Sequence, residues 1–453
     1  MGKGLAEIRS PQRKHLAYMK GRGPMQTSLR GIAKKAKEFA KYRFRNLYGM
    51  LNTSLLTQAW DELNKKAAPG VDGVSANDYA QNLESNIQAV VEELKEKRYH
   101  TKLVKRVYIP KEGGKMRPLG LPAMSDKIVQ RATADILEAI YEQDFLPGSY
   151  GYRPHKGPQL AVRELTQTLQ LGRFNYVVEA DIRGYFQNID HEWLTRMLEQ
   201  RIDDRNMIRL IRKWLKAGIL ETDGKILHPV TGTPQGGVAS AILANVYLHY
   251  VLDLWFEKAV KPNCEGAAYL CRFADDFVCA FQYKRDAEKF YEVLGKRLNK
   301  FSLELAPEKT KIIKFGPFHE EKNSFEFLGF EFKWGMSQKG KNIIKRRTSR
   351  KKLRKSVASF TTWCKENRHS RNRVIFQQLN SKLRGYYNYY GIIGNSSSLG
   401  QFYGLVRQIM FKWLNRRSQR SSFEWKEFKK LWKQFRVPKP RITEGPNQLV
   451  LKF

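Results

Sequence analysis

Cysteine is scarce in this chain, and the cysteines present form no recognisable pattern. Cys264, Cys271, Cys279 and Cys364 include no Cys-x-x-Cys pair, and no pair of histidines accompanies them at the spacing of a zinc module. This argues against a disulfide framework and against a structural zinc site. Cys271 and Cys279 lie in short apolar runs, so we expect them to be small buried residues in a reducing compartment.

Long apolar runs and an apolar secretion signal are also missing. No run approaches the roughly 20 residues that a helix needs to cross a bilayer, and the N-terminal segment is basic rather than apolar. We therefore expect no membrane partner. A cytoplasmic, bacterial and nucleoid-associated protein is the corresponding expectation for its location.

Acidic residues are few relative to basic ones, with 44 against 82 and a formal net charge of +38. The excess is uneven: residues 1–45 carry a net charge of +11 and residues 333–453 carry +26, whereas residues 46–332 carry only +1. A nucleic acid is the favoured polyanionic partner, and an acidic membrane surface is the alternative. The distribution predicts basic binding flanks around a nearly neutral body.

What the chain does contain is an ordered series of segments with helical or strand periodicity. Helices are predicted over residues 29–63, 76–97, 127–141, 193–215, 240–256 and 286–301, and almost throughout 346–440. Strands are predicted over residues 104–109, 176–181, 270–273, 277–281 and 325–332, with a basic hairpin turn at 111–115. The order predicts an α+β sheet domain of βαββαβ type, followed by a separate helical unit.

The sequence Phe273-Ala274-Asp275-Asp276, between two predicted strands, is the strongest chemical signal. Adjacent carboxylates at a tight turn repel each other, and a divalent cation relieves the repulsion. Asp181 ends another predicted strand and could supply a third carboxylate, which is the ligand set of two-metal phosphoryl transfer. The alternative is a solvated turn without a ligand.

Several segments in order resemble the blocks of a reverse transcriptase of the group II intron type. The blocks are the hairpin around residues 104–119, Gly151-Tyr152-Arg153-Pro154, Asp181, Thr233-Pro234-Gln235-Gly236-Gly237, the Asp-Asp turn, Leu305–Lys309 and Phe327–Phe330. The resemblance extends from about residue 30 to 440. It implies a right-hand polymerase fold, with fingers and a palm built on a ferredoxin-like βαββαβ sheet, followed by an all-helical thumb or maturase domain.

The resemblance implies two Mg²⁺ ions, with Mn²⁺ as a substitute. Their ligands would be Asp181, Asp275, Asp276 and the backbone of Ile182. Lys309 would be a general acid for pyrophosphate, although a solvated lysine at the end of a helix is the alternative. The reaction implied is attack of a primer 3′-oxygen on the α-phosphate of a deoxynucleotide.

The resemblance also implies a set of nucleotide contacts. They are Lys111, Lys115 and Arg117 on the basic hairpin, Phe186 as a steric gate beneath the sugar, and Gln235 and Gly236 beside the base or sugar. The alternatives are a lysine-rich surface hairpin, a core phenylalanine and an ordinary Gly-Gly turn.

Template and RNA contacts are implied for two regions. The predicted residues are Arg153 and Gly329 in the body, and Arg346, Arg347, Arg350, Lys351, Arg384, Tyr386 and Tyr387 in the helical unit. Residues 345–352 are expected to begin a basic helix, and the tyrosines after Arg384 combine stacking rings with cations, as RNA-binding surfaces do. Purely structural roles are the alternative for these positions.

The predicted domains are a basic N-terminal arm (1–45), fingers and palm (46–332), a thumb or maturase domain (333–440) and a tail (441–453). The resemblance implies no HNH endonuclease domain. The predicted function is an RNA-directed DNA polymerase that binds intron RNA, assists its splicing and copies it into DNA. The alternatives are a related enzyme recruited to DNA repair or antiphage defence, and a non-enzymatic RNA-binding splicing factor.

The implied partners are intron RNA or another structured RNA, an RNA template with a DNA primer, deoxynucleotides and a DNA target. Homodimerisation is left open. Some residues depart from the family pattern: Phe273 stands where tyrosine is usual, Gln187 where aspartate is frequent, and Val238-Ala239-Ser240-Ala241 where Ser-Pro is common.

Overall fold

The computed structural model of this chain describes residues 27–110, 116–233, 235–319, 323–417 and 423–445. Residues 1–26 of the predicted basic arm, residues 446–453 of the predicted tail, and Lys111 and Lys115 lie outside these ranges. In the part of the chain that is described, no helix is both long enough and apolar enough to cross a bilayer.

Helices and strands alternate up to residue 348, and helices follow from there. The α-helices are α1 (Thr27–Glu38), α2 (Thr53–Glu62), α3 (Ala76–Gln81), α4 (Leu83–Lys95), α5 (Met124–Tyr141), α6 (Pro158–Leu171), α7 (His191–Glu199), α8 (Arg205–Leu215), α9 (Ser240–Leu248), α10 (Lys284–Asn299), α11 (Arg350–Asn367), α12 (Asn372–Tyr390), α13 (Ser396–Leu414) and α14 (Trp425–Gln434). The strands are β1 (Val104–Pro110), β2 (Met116–Leu121), β3 (Tyr176–Arg183), β4 (Ile219–Leu220), β5 (Ile226–Leu227), β6 (Ala268–Phe273), β7 (Asp276–Phe281), β8 (Glu304–Leu305), β9 (Lys311–Lys314), β10 (Ser324–Phe327), β11 (Phe330–Met336) and β12 (Asn342–Thr348).

An antiparallel sheet forms the centre of the body. β3 pairs with β7 on one side and with β8 and β9 on the other, and β6 pairs with β7 at the outside. Side chains along β7 alternate between two buried cores: Phe277 and Cys279 pack on one face, and Val278 and Ala280 pack on the other. Burial on both faces explains why residues 277–281 are continuously apolar.

Helix α5 passes through the larger core and is buried around almost its whole circumference. Such a helix should be apolar on all sides, yet it contains the buried Arg131. The guanidinium lies within ion-pair distance of Glu62, Asp135 and Glu138, so the charge is compensated inside the protein.

The predicted helix over residues 29–63 is broken into α1 and α2. Helix α2 has its own start signal, because the Asn52 side chain accepts a hydrogen bond from the backbone N–H of Leu55 at 3.0 Å. Helix α1 buries Leu29, Ile32 and Ala36 in the main core. The described portion of the predicted basic arm is therefore part of the packed body.

The region around residue 330 differs from the prediction in two ways. The single strand predicted over 325–332 is a hairpin, β10 and β11, which turns at Leu328 and Gly329 with positive φ angles of 51° and 79°. Residues 345–347 lie on β12, so they do not begin a basic helix. That helix is α11, which begins at Arg350 after a Ser349 cap. The predicted domain boundary between 332 and 333 falls inside β11.

Helices α11 to α14 enclose a core of their own, in line with the predicted helical unit. Phe376 and Phe435 stack with ring centroids 4.5 Å apart, and Tyr386 stacks on Phe402 at 3.8 Å. Tyr389 connects this unit to the body, because its hydroxyl donates to the Leu328 carbonyl at 2.9 Å. The helical unit thus rests against the turn between β10 and β11.

Candidate active site

Two strands of the central sheet bring the predicted carboxylates together. Asp181 on β3 is the register partner of Asp276 on β7, and Asp275 lies in the two-residue turn from β6 to β7. Directly opposed residues in an antiparallel pair have Cβ atoms about 4.5–5.5 Å apart. Ala274, the other turn residue, takes a left-handed conformation with φ 58°. Strand register therefore brings Asp181 and Asp276 together, and the turn places Asp275 next to Asp276.

The carboxylates of this cluster repel one another, and this repulsion disfavours their charged forms. Asp276 is open to a cleft on one side, but protein atoms crowd its carboxyl elsewhere, and this desolvation raises its pKa to about 7. The charges of Asp275 and Asp181 raise the pKa further, whereas a hydrogen bond from the Leu328 backbone opposes the shift. The site stabilises positive charge placed among these oxygens.

Lys309 supplies one such positive charge. Its ammonium group donates to the Asp181 carboxylate, and this hydrogen bond raises the pKa of the lysine. Lys309 ends a short helical turn, Pro307–Lys309, immediately before β9. The contact places Lys309, the predicted general acid, beside the carboxylate of Asp181.

The donor set suits Mg²⁺, which prefers carboxylate oxygens completed by phosphate and water. Among the described residues, however, no three His, Cys, Asp or Glu side chains are gathered closely enough to hold a metal. In this arrangement the Asp181 carboxylate is paired with the Lys309 ammonium group. The ligand chemistry fits the metal, and filling the site requires Lys309 to leave Asp181. The Ile182 side chain is a hydrocarbon without donor atoms, so only its backbone carbonyl could contribute.

A cleft of about 730 Å³ opens beside the carboxylates. Its wall includes the predicted nucleotide contacts Arg117, Phe186 and Gln235, together with Gln187 and Lys309. The cleft therefore unites residues that are far apart in the sequence.

Backbone geometry after β3 places Phe186 at the cleft. Gly184 has φ 57° and turns the chain into the short helix Tyr185–Gln187. Tyr185 points into the core, where its hydroxyl donates to the Ala244 carbonyl at 2.5 Å. The Phe186 ring is half-buried against Tyr185 and meets Tyr152 edge to face, with centroids 6.3 Å apart. Phe186 is thus a supported ring on the cleft wall.

Gly236 has a different environment from the predicted one. An added Cβ at this position would lie 2.7 Å from the Gly120 carbonyl oxygen, and its φ is 116°. The neighbouring Gln235 carbonyl accepts from the Gly120 N–H at 2.7 Å. The glycine is required by close packing on β2, whereas Gln235 is the residue of this block that lines the cleft.

Comparison with known proteins decides the family. The reverse transcriptase (RNA-dependent DNA polymerase) family matches residues 109–332, and the group II intron maturase-specific domain matches residues 350–432. Protein YkfC of Escherichia coli is 34% identical over 333 residues, which are 66% of this chain and 85% of YkfC. The chain belongs to the group II intron reverse transcriptase and maturase family.

Other relatives agree with this assignment. The group II intron-encoded protein LtrA of Lactococcus lactis is 29% identical over 472 residues, covering 86% of this chain and 77% of LtrA. A putative COX1/OXI3 intron 1 protein of Saccharomyces cerevisiae is 29% identical over 217 residues, covering 48% of this chain and 26% of the yeast protein. As a member of this family, the chain is an RNA-directed DNA polymerase that assists intron splicing.

Several positions predicted to touch nucleic acid have structural roles in this reverse transcriptase. Arg153 is buried, paired with Glu142 at 3.1 Å, and donates to the carbonyls of Leu146 and Ser149 at 2.8 Å. It is therefore not available for the predicted template contact. Gly329 forms the turn before β11, where an added Cβ would approach Lys352 and Tyr390.

The predicted RNA contacts of the helical unit include buried residues with structural partners and residues that lie on the surface. Arg346 is buried and pairs with Glu444, and the Tyr387 ring is fully buried in the helical core. Arg347 pairs with Glu331 at 2.7 Å while remaining partly exposed. The positions that stay on the surface are Arg350, Lys351 and Arg384, and Tyr386 lines a surface groove.

Sequence reasoning missed two residues beside the carboxylates. Tyr152 packs against Phe186, and burial followed by the nearby Asp275 charge raises its pKa. Leu328 donates a backbone hydrogen bond to Asp276. The position of Tyr152 within the Gly-Tyr-Arg-Pro block is a usable signal, although the residue predicted from that block is Arg153. A backbone donor such as Leu328 leaves no signal in side-chain chemistry.

Proposed function

We propose that Asp181, Asp275 and Asp276 are the catalytic carboxylates of a right-hand polymerase. The supporting observation is the cross-strand pairing of Asp181 with Asp276 at the floor of a cleft lined by Arg117 and Phe186. Across the sheet the strands lie in the order β6, β7, β3 and β9, which are the second, third, first and fourth of these strands along the chain. This order supports a ferredoxin-like palm. The hairpin of β1 and β2 would belong to the fingers, and α11 to α14 to the thumb.

The proposed metal ligands are the same aspartates with the Ile182 backbone. Bound Mg²⁺, or Mn²⁺ as a substitute, would supply activation of a primer hydroxyl and neutralisation of phosphate charge. The chain itself contributes three carboxylates held by strand register and an ammonium group at Lys309. A lysine carries a proton at neutral pH. The contact with Asp181 raises the pKa of Lys309 and so holds that proton more tightly, and Lys309 would be free to give it to departing pyrophosphate once it leaves Asp181.

The cleft wall is proposed to orient the incoming nucleotide. The exposed Arg117 lies on β2 and would hold phosphate oxygens by charge-assisted hydrogen bonds. Gln235, which lines the cleft from the Thr-Pro-Gln-Gly-Gly segment, would approach the base or sugar. Phe186 would lie beneath the sugar, where its ring excludes a 2′-hydroxyl.

Phe186→Ala is expected to raise ribonucleotide use relative to deoxynucleotide use by about 10- to 200-fold, the range for a single steric contact in a pocket. Primer extension with dNTPs and rNTPs separately gives the ratio of the two kcat/KM values. The matched control is Phe318→Ala, because Phe318 is 90% exposed and does not line the cleft. Unchanged sugar selectivity in an active Phe186→Ala enzyme would remove the gate assignment.

The proposed nucleic-acid surface lies on the thumb. A groove of about 370 Å³ between α11, α12 and α13 is lined by Lys352, Lys355, Lys382 and the Tyr386 ring. Lys352 also lines the catalytic cleft, so the two concavities share a residue. Arg350 and Lys351 lie at the start of α11, close in sequence to Lys352. This continuity supports binding of a template–primer duplex or structured intron RNA across the thumb.

The double variant Arg350→Gln/Lys351→Gln is expected to weaken RNA binding and to flatten its salt dependence. Each phosphate contact contributes about 0.7 to 0.9 to the slope of log K against log salt, so the slope should fall by about 1.4 to 1.8. Fluorescence anisotropy at several KCl concentrations measures this. The control is Lys225→Gln/Lys261→Gln, a change of equal charge on the body, which should retain the wild-type slope. A wild-type slope in the thumb variant would contradict the assignment.

A further inference from the structure

An arginine lies fully buried beside the catalytic turn. Arg272 is the next-to-last residue of β6, and it is 0% exposed. Its Nε and Nη2 atoms donate to the two carboxylate oxygens of Asp253 at 2.7 and 2.6 Å. Burying this ion pair costs several kcal/mol per charge in desolvation, and an apolar pair of similar volume is often as stable. Simple filling of the core does not require these charges.

Arg272 also contacts the turn that carries the aspartates, while its Nη2 makes a further hydrogen bond to Ser149 Oγ at 2.7 Å. Nη1 donates to the Ala274 carbonyl at 2.9 Å, directly beside Asp275. Ala274 has φ 58°, a conformation that is costly for a residue with a Cβ and that persists where neighbours enforce it. The guanidinium therefore stabilises the strained residue of the turn.

Asn245 and Gly151 form a second set of contacts around the same turn. Arg272 Nη1 also donates to Asn245 Oδ1 at 3.1 Å, and Asn245 Nδ2 donates to the Gly151 carbonyl at 2.6 Å. A Cβ added to Gly151 would lie only 2.2 Å from the Ala274 nitrogen. The backbone of the Gly-Tyr-Arg-Pro block is thus in contact with the turn, and only glycine permits that approach.

Asp253 lies on an unusual helical segment. It ends a wide helical turn, His249–Asp253, that directly follows α9. Wide π-type turns are rare and occur frequently at functional sites, because the extra residue changes which side chains face a neighbour. Here the wide turn contains the partner of Arg272.

We propose that Arg272, held by Asp253, is a positioning residue that sets the Asp275–Asp276 turn for binding divalent cations. The inference rests on the proposed catalytic role of the aspartates. Support of this kind around metal ligands typically contributes 10- to 100-fold in metal affinity or activity. Loss of the support should change the response to Mg²⁺ while leaving the distant RNA surface intact.

The test compares the full-length wild type with Arg272→Lys, which keeps the charge and loses the forked contacts. We expect the Mg²⁺ concentration for half-maximal primer extension to rise about 10-fold or more, with a parallel loss of Mn²⁺ affinity measured by electron paramagnetic resonance. RNA affinity should stay at the wild-type value. A folded Arg272→Lys protein with wild-type Mg²⁺ and Mn²⁺ responses would overturn the inference.

The matched control is Arg131→Lys, since Arg131 is also a buried arginine among carboxylates but does not line the cleft. It should lower the melting temperature and leave the Mg²⁺ response unchanged. If it shifts the Mg²⁺ response equally, the Arg272 effect is general destabilisation and the inference fails.

Two further variants keep the test decisive. Should Arg272→Lys fail to fold, Gly151→Ala perturbs the same turn without touching the ion pair, and a wild-type Mg²⁺ response there overturns the inference. Asp275→Ala in the same assay distinguishes failure of the proposed catalytic site from failure of the proposed positioning role. Retained synthesis in Asp275→Ala removes the proposed catalytic site, whereas its loss together with a wild-type Arg272→Lys removes only the positioning role.

Discussion

Asp275→Ala should abolish DNA synthesis, with the primer-extension rate falling at least about a thousandfold, which corresponds to about 4 kcal/mol of transition-state stabilisation. The reason is the loss of one of three carboxylates that strand register gathers at the cleft. The proposed RNA surface lies on the thumb, so RNA affinity should change less than twofold. Single-turnover extension and filter binding on the same preparation measure both quantities.

The control for Asp275 is Asp61→Ala, an exposed aspartate on α2 that does not line the cleft. It removes the same charge and should leave the extension rate unchanged. Persistent synthesis by Asp275→Ala would refute the catalytic assignment. An equal loss of RNA binding would show that the substitution acts on the fold and not on the chemistry.

Arg201→Met should cost about 3–5 kcal/mol in the stability of the N-terminal segment, the usual penalty for breaking a buried ion pair from one side. Arg201 is 3% exposed and pairs with Asp144 at 2.9 Å. It also donates to the carbonyls of Ala36, Phe39, Ala40 and Tyr42 at 2.6–3.1 Å. This one side chain thus fastens the end of α1 to the body.

Hydrogen exchange of the α1 amides at increasing urea concentration measures this loss, and it reports local opening without assuming one global transition. The control is Arg45→Met. Arg45 makes a 2.7 Å ion pair with Asp203, but its side chain is 74% exposed, so the expected cost is about 1 kcal/mol or less. Equal protection of α1 in wild type and Arg201→Met would contradict the anchoring role.

The sequence could predict that Asp181 lies near the Asp275–Asp276 pair because the signals are local. An Asp-Asp pair between two apolar runs predicts a turn, and the third aspartate, Asp181, lies near the end of β3, so chemistry and periodicity coincide within short windows. The failures at Arg153, Arg346 and Tyr387 have a non-local cause. Each looks like a nucleic-acid contact by residue type, yet its partners are supplied by distant segments, such as Glu444 for Arg346.

By itself the sequence determined the family resemblance, the basic flanks, the strand–turn–strand that carries Asp275 and Asp276, and the helical character after residue 350. These features follow from short-range patterns of charge, periodicity and turn residues. Only the tertiary structure decided which cations face solvent, that Gly151 and Gly236 serve backbone packing, and that Arg272 donates a hydrogen bond to the Asp-Asp turn. Burial and hydrogen-bond partners depend on contacts between residues separated by tens to hundreds of positions, and residue type does not specify such contacts.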